Sequence, residues 1–277
     1  MDSSAEAHGA FEVKDVLVQS WHIAKKYWIQ FLALAAITFG VMIVVAIATG
    51  IVGVILAIIF SRAPAILGLW QLISMLIRYV VLVPILIAII RLSFIAVDGG
   101  VVDYKKLFEH KDAMMALFIA GAIILSGILI SVGLLFFVIP GIFAAVVFGF
   151  AMYVVTDKGM NPVEALQVSY ALTENNRLNV FLLMLANALI ALIAFLPIMV
   201  LGGGSFILLA MGSGDGDLAQ VMVPLAGIMG ILAVTVGGAI ALVGGFIASL
   251  IKQISMAKAY RMLAAKNHAA FNVAKTA

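Results

Sequence analysis

Six long apolar runs dominate this sequence, and its 13 acidic residues all lie outside them. The runs span residues 29–60, 66–97, 113–139, 141–156, 178–211 and 221–251. A helix needs about 20 apolar residues to cross the hydrocarbon core of a bilayer. Apolar residues make up 65% of the chain, against about half in soluble domains. The sequence therefore predicts an all-α polytopic membrane protein with six transmembrane helices.

The basic residues predict which ends of these helices face the cytoplasm. Lysine and arginine next to a crossing are retained on the cytoplasmic side. Fourteen of the 16 lysine and arginine residues flank the chain termini or the second and fourth connections, and the exceptions are Arg62 and Arg78. We therefore expect both termini in the cytoplasm. The first residues carry acids where a secretory signal carries lysines, so we expect no cleavage.

One polar segment, DKGMNPVEALQVSYALTENNR, separates the fourth and fifth runs. Asn161 can cap a helix, Pro162 suits its first turn, and Glu164 stands three residues after the cap. About 14 helical residues reach only about 21 Å, too short a distance to cross the membrane. We expect an amphipathic helix in the cytoplasmic interface, with Ser169 on its apolar face and that face in the lipid.

The same pattern occurs near the N-terminus, where VKDVLVQSWHIAKKYW aligns with PVEALQVSYALTENNR without a gap and Ser20 matches Ser169. A fainter copy after the second run pairs Asp98 with Asp157 and Gly100 with Gly159. These copies predict three hairpins of two crossings, each preceded by a cytoplasmic interfacial amphipathic helix. The alternative is that juxtamembrane helices share a composition without common origin. The predicted units of this single membrane domain are residues 1–97, 98–160 and 161–265, with a cytoplasmic tail at 266–277.

A longer run, LLFFVIPGIFAAVVFGFAMYVVTDKGMNPVEALQVSYALTENNRLNVF, carries the motif residues Pro140, Gly141, Asp157, Gly159, Pro162, Ala165, Leu166, Ser169 and Asn176. It resembles the YciC-like family of bacterial six-helix membrane proteins, which are related to the membrane domain of some glycerophosphodiester phosphodiesterases. The resemblance covers roughly residues 91–263. It implies a six-helix fold in the bacterial inner membrane, and it implies no chemistry, because the family has no settled activity.

Chemical sites are not expected in this chain. It has no cysteine, and its four histidines never stand at metal-ligand spacing. No nucleophile, base and acid constellation can be assembled from the polar segments. We therefore predict no catalytic residue, no metal and no cofactor, and nothing in the sequence implies nucleic acid.

Basic residues are the candidate contacts for anionic lipid or a partner: Arg78, Arg91, Lys105, Lys106, Lys111 and Arg177. Arg78 lies within an apolar run that has no acid to neutralise it. It either extends to the headgroups or binds a lipid phosphate.

Three functions remain open at this point. The first is a non-enzymatic protein that binds membrane lipid, or a protein partner or further copy of itself, at the cytoplasmic leaflet. The second is a carrier with a cavity near Arg78 and Asn187 and without a proton relay, since no carboxylate lies in the membrane. The third is a lipid-processing enzyme that uses Asp98, Asp103 or Asp157.

Overall fold

The computed structural model describes residues 11–61, 63–104, 107, 113–213 and 217–267. All regular structure in these ranges is helical, as the sequence predicts. The helices in chain order are α1 (Val13–Ile59), α2 (Pro64–Val97), α3 (Ala113–Phe136), α4 (Val138–Phe148), α5 (Ala151–Lys158), α6 (Pro162–Thr173), α7 (Arg177–Met211), α8 (Asp217–Leu232) and α9 (Gly238–Lys266). A π-helical turn, Ala233–Gly237, joins α8 to α9.

Six helical stretches within the described residues are long and apolar enough to cross a membrane. Four of them are the single helices α1, α2, α3 and α7. The other two are α4 continued by α5, and α8 continued through the π-helical turn into α9. By length and composition the chain is a multi-pass membrane protein, and the predicted all-α class with six such helices is confirmed.

The two ends of the bundle differ in their contacts. Helices α1, α3 and α7 begin at one end of the bundle, and α2, α5 and α9 terminate there. We call this the proximal end and the opposite one the distal end. At the proximal end the Asn179 side chain donates to the Phe11 carbonyl oxygen over 2.9 Å. Arg261 reaches Asp98 and Asp157 there, each at 2.9 Å. The proximal end is therefore tied together by contacts between segments distant in sequence.

Buried side chains are concentrated toward the proximal end. On α1 every buried residue lies between Val16 and Leu34, except Thr49. The distal part of that helix exposes large apolar side chains such as Phe39 and Ile58. Apolar surface on this scale is unfavourable in water and is the surface that hydrocarbon tails cover. The distal halves therefore have the character of lipid-facing helices.

The first predicted interfacial helix is not a separate element. Helix α1 runs through it without a break for 47 residues, about 70 Å at a rise of about 1.5 Å per residue. The third unit does break, because α6 ends at Thr173 and α7 begins at Arg177. The difference has a local cause: Asn175 and Asn176 favour turns, whereas the aligned Lys26 is a good helix former.

The second and fifth predicted crossings match α2 and α7 within two residues. The sixth is longer than predicted, because the helix continues past residue 251 to Lys266. Helix α3 ends before residue 139, at Phe136, since Phe137 is extended with φ −164° and ψ 156°. Pro140 and Gly141 therefore lie inside α4 and do not divide two helices. Proline fits there because a first-turn N–H has no intrahelical partner.

Small residues allow the helices to approach closely. A Cβ atom on Gly133 of α3 would lie 2.9 Å from the Gly141 Cα of α4. Between the π-helical turn and α7, a Cβ on Gly237 would lie 3.1 Å from the Ile198 Cα. Ser205 of α7 donates to the Ala226 carbonyl oxygen of α8 over 2.7 Å. Small residues at these contacts therefore serve helix packing.

Candidate functional site

The fourth crossing is interrupted at Gly149 and Phe150, and Ser169 of α6 fills the interruption. The Ser169 hydroxyl donates to the Val147 carbonyl oxygen over 2.7 Å and accepts from the Phe150 N–H over 3.2 Å. A larger side chain fits poorly at the break, because a Cβ on Gly149 would lie 2.9 Å from the Ala145 carbonyl oxygen and 2.6 Å from the Met184 Cε. One hydroxyl thus replaces backbone hydrogen bonds that the break removes.

Helix α6 begins with the predicted capping box. The Asn161 side chain accepts from the Glu164 N–H over 2.9 Å, and the Glu164 carboxylate accepts from the Asn161 N–H over 3.3 Å. The apolar face, however, does not point into lipid. It packs on α3, α4 and α5, and the side chains of Ala165, Leu166 and Ser169 are buried in protein. The predicted lipid-facing orientation of this face is wrong, because a hydrophobic stripe fits either environment.

Three aromatic rings of α2, α5 and α9 form a triangle at the proximal end, and Phe150 packs beside it, 6.1 Å from Tyr153 and 6.3 Å from Tyr260. Phe94 of α2 lies 5.9 Å from Tyr153 of α5 and 5.5 Å from Tyr260 of α9, between ring centroids. Tyr153 and Tyr260 are 6.0 Å apart. These separations lie in the favourable range for aromatic pairs. The triangle draws together the proximal ends of α2, α5 and α9.

Arg261 lies directly beside this aromatic triangle. Its guanidinium binds Asp157 and Asp98 with separate nitrogens, and it lies 4.4 Å from the Phe94 ring centroid. The Tyr260 hydroxyl donates to the other Asp157 oxygen over 3.0 Å. The sequence pairs the two aspartates as equivalents, but it gives no sign that a single arginine joins them.

Two glycines with left-handed backbone follow the helix ends at which these aspartates lie. Gly99 has φ 74° after α2, and Gly159 has φ 66° after α5. Glycine adopts this conformation without the steric penalty that other residues incur. The predicted equivalent of Gly159 was Gly100, so the faint alignment is displaced by one residue at this turn.

The predicted basic contacts do not form one site. Arg78 is exposed on α2. Arg91 is half-buried and donates toward the Leu107 carbonyl oxygen and the Met115 sulfur, at 3.5 and 3.4 Å. It therefore connects α2 to the start of α3. Lys105, Lys106 and Lys111 lie outside the described residues.

Arg177, the first residue of α7, is held between two aromatic rings. Its guanidinium carbon lies 4.7 Å from the Tyr170 centroid and 5.1 Å from that of Phe143. Asn176 precedes it as the N-terminal cap residue, without a side-chain capping bond. Arg177 thus joins α7 to α6 and α4, a packing role that the sequence does not reveal.

Asn187, which the carrier hypothesis placed at a cavity, bonds a neighbouring helix. Its side-chain amide donates to the Ser255 hydroxyl of α9 over 3.0 Å, and both residues are buried. No hydrogen bond joins Asn187 to Arg78 in the part of the chain described.

Helix α1 presents a basic and aromatic surface at the proximal end. Trp21 and Trp28 are 42% and 48% exposed. Lys25 and Lys26 are also exposed, with Nζ atoms 5.5 Å from the Trp21 ring and 5.3 Å from the Tyr27 ring. Neither lysine forms an ion pair with any described residue. This surface, which sequence reasoning did not single out, carries positive charge that no acid of the described residues pairs with.

Within the described ranges, no group of three or more histidine, cysteine or acidic side chains could hold a metal ion. Comparisons with protein-family models, with curated proteins and with solved structures find no match. The resemblance to the YciC-like family therefore stays a prediction.

Proposed function

We propose that this chain is a non-enzymatic protein of the bacterial inner membrane that binds anionic lipid at the cytoplasmic leaflet through its proximal end. The observation that carries the proposal is the exposed Lys25 and Lys26 pair, which has aromatic neighbours and no acidic partner among the described residues. Lysine attracts an anionic leaflet by about 1 kcal/mol per residue near the surface. Tryptophan favours the same headgroup level.

Two acids at the proximal end, Asp98 and Asp157, do not offset the positive charge of Lys25 and Lys26. Asp98 and Asp157 are both bound to Arg261, and Asp157 also lies 3.1 Å from Lys158. Their negative charge is compensated within the protein. The lysines of α1 are therefore available to lipid phosphates.

The three-hairpin arrangement belongs to the same proposal. Phe94, Tyr153 and Tyr260 would be contributed by the second crossing of the first, second and third hairpin, respectively. A close contact within each pair of crossings supports it. Trp70 donates to the Thr49 carbonyl oxygen in the first, Gly133 meets Gly141 in the second, and Ser205 donates to the Ala226 carbonyl oxygen in the third. The helix α6 would then lie at the level of the headgroups while its apolar face stays covered by protein.

Lipid-dependent thermal unfolding of the purified protein tests the proposal. Phosphatidylglycerol added to the detergent micelles should raise the Tm more than phosphatidylcholine does, because a ligand of the folded state stabilises it. The double variant Lys25→Gln/Lys26→Gln should lose this preference, and Lys25→Arg/Lys26→Arg should keep it. Equal stabilisation of the unsubstituted protein by both lipids would refute anionic lipid binding.

The carrier and protein-partner alternatives have less support. The carrier hypothesis relied on a cavity shared by Arg78 and Asn187, but Asn187 is buried against Ser255 and Arg78 is exposed. A protein partner would need a surface complementary to Lys25 and Lys26. The same lipid titration distinguishes it, since a partner would not depend on headgroup charge.

A further inference from the structure

An open groove of about 700 Å³ separates α1 from α9. Its α1 wall is formed by Trp21, Lys25, Trp28 and Leu32, spaced by four, three and four residues. That spacing sets the four side chains on one face of a helix. The volume lies within the range of about 300–1,000 Å³ that small-molecule sites occupy.

The opposite wall comes from α9 and is apolar. Val243 and Ile247 are exposed along it, and Leu250 is buried at its proximal part. The groove floor is set by Ala24, a buried residue whose small side chain leaves depth between the larger ones. The groove therefore offers hydrocarbon contacts over most of its length.

Among the described residues that line the groove, Lys25 is the single charged side chain. It lies in the proximal half of the α1 wall, with Trp21 and Trp28 on either side of it. From Trp21 to Leu32 the wall extends about 17 Å. A molecule that fits would be apolar over most of its length and negatively charged at the proximal end.

We propose that this groove binds one anionic phospholipid, with an acyl chain along Leu32, Val243 and Ile247 and its phosphate at Lys25. This proposal rests on the proposed function in two respects: that the lipid is anionic, and that the proximal end lies at a headgroup layer. The other occupant is a second copy of this chain, which would have to bring an acid to Lys25, such as the exposed Asp15, and would keep lipid out of the groove.

Tryptophan quenching tests the site directly. The chain has three tryptophans, and Trp70→Phe leaves the groove residues Trp21 and Trp28 as the reporters. The protein is placed in phosphatidylcholine nanodiscs that contain a small fraction of brominated phosphatidylglycerol, or the same fraction of brominated phosphatidylcholine. Brominated phosphatidylglycerol should quench the fluorescence of Trp21 and Trp28 as strongly as if its concentration beside them were about fivefold above its bulk fraction. This is the enrichment expected from the attraction of one lysine, about 1 kcal/mol. The variant Trp21→Phe/Trp28→Phe, which reports from Trp70, should show no such enrichment.

Groove-filling variants separate this site from general attraction to anionic lipid. On the Trp70→Phe background, Val243→Phe/Ile247→Phe should abolish the enrichment, and Lys25→Gln should reduce it to the bulk level. Ile240→Phe is the matched control, because Ile240 is an exposed residue of α9 that does not line the groove. It should leave the enrichment unchanged.

Two results would overturn the groove proposal. One is equal enrichment at Trp70 and at the groove tryptophans. The other is resistance of Trp21 and Trp28 to both brominated lipids, which would mean that protein covers the groove. If phosphatidylglycerol still raises the Tm selectively in either case, the proposed function stands and only the groove assignment fails.

Discussion

Arg261 and Asp157 form an ion pair of 2.9 Å although 104 residues separate them in the sequence. The same arginine binds Asp98, so one guanidinium connects the ends of three helices, α2, α5 and α9. The two carboxylates differ in exposure: the Asp157 side chain is 13% exposed and the Asp98 side chain 51%. This difference allows the two ion pairs to be compared against one common partner.

Removal of the more buried carboxylate should be the more destabilising change. We expect Asp157→Ala to lower the free energy of unfolding by about 2–3 kcal/mol, because it also leaves the Tyr260 hydroxyl without its acceptor. Asp98→Ala should cost less than about 1 kcal/mol, as for other exposed pairs. Chemical unfolding in detergent measures both. Equal losses would mean that burial does not determine the strength of these ion pairs.

Ser169 should be essential to the fourth crossing. Ser169→Ala leaves the Val147 carbonyl and the Phe150 N–H without their partner, so we expect a loss of about 2–3 kcal/mol in unfolding free energy. Amide exchange at Phe150 should accelerate as well. The matched control is Ser20→Ala, since the buried Ser20 hydroxyl donates only to the Val16 carbonyl oxygen of its own helix. A similar loss in both variants would contradict the bridging role of Ser169.

The glycine contact between α3 and α4 should be intolerant of a methyl group. Gly133→Ala sets a Cβ 2.9 Å from the Gly141 backbone, which must move, so we expect a clear fall in Tm. Gly127→Ala on the same helix has open space around it and should be neutral or stabilising by up to about 1 kcal/mol. If both variants unfold at the same temperature, α3 and α4 are not in close contact there.

The proposed orientation can be measured with single cysteines, because the chain has none of its own. Exposed Lys266 and Ser213 report from the proximal and distal ends. A membrane-impermeant maleimide should label Ser213→Cys in intact spheroplasts, and Lys266→Cys only after lysis. The reverse pattern would mean that the distribution of basic residues does not determine the orientation of this protein.

Sequence reasoning succeeded where the determinants are local. The capping box of Asn161 and Glu164 and the lengths of α2 and α7 depend on neighbouring residues, and each was predicted within about two residues. It failed where one sequence pattern is compatible with two environments. The stripe around Ser169 could face lipid or protein, and only the fold decides between them. The meeting of Arg261 with two distant aspartates could not be predicted, because no periodicity encodes such contacts.

The concentration of buried side chains toward the proximal end has a practical consequence for handling the protein. Beyond Leu34, most side chains of helix α1 are not covered by other helices, so alkyl tails of lipid or detergent have to cover them. A detergent with short tails would thin this outer layer while the aromatic and ionic centre stays intact. Loss of order should then spread from the distal tips inward, and the choice of amphiphile becomes part of the conditions that define the native state.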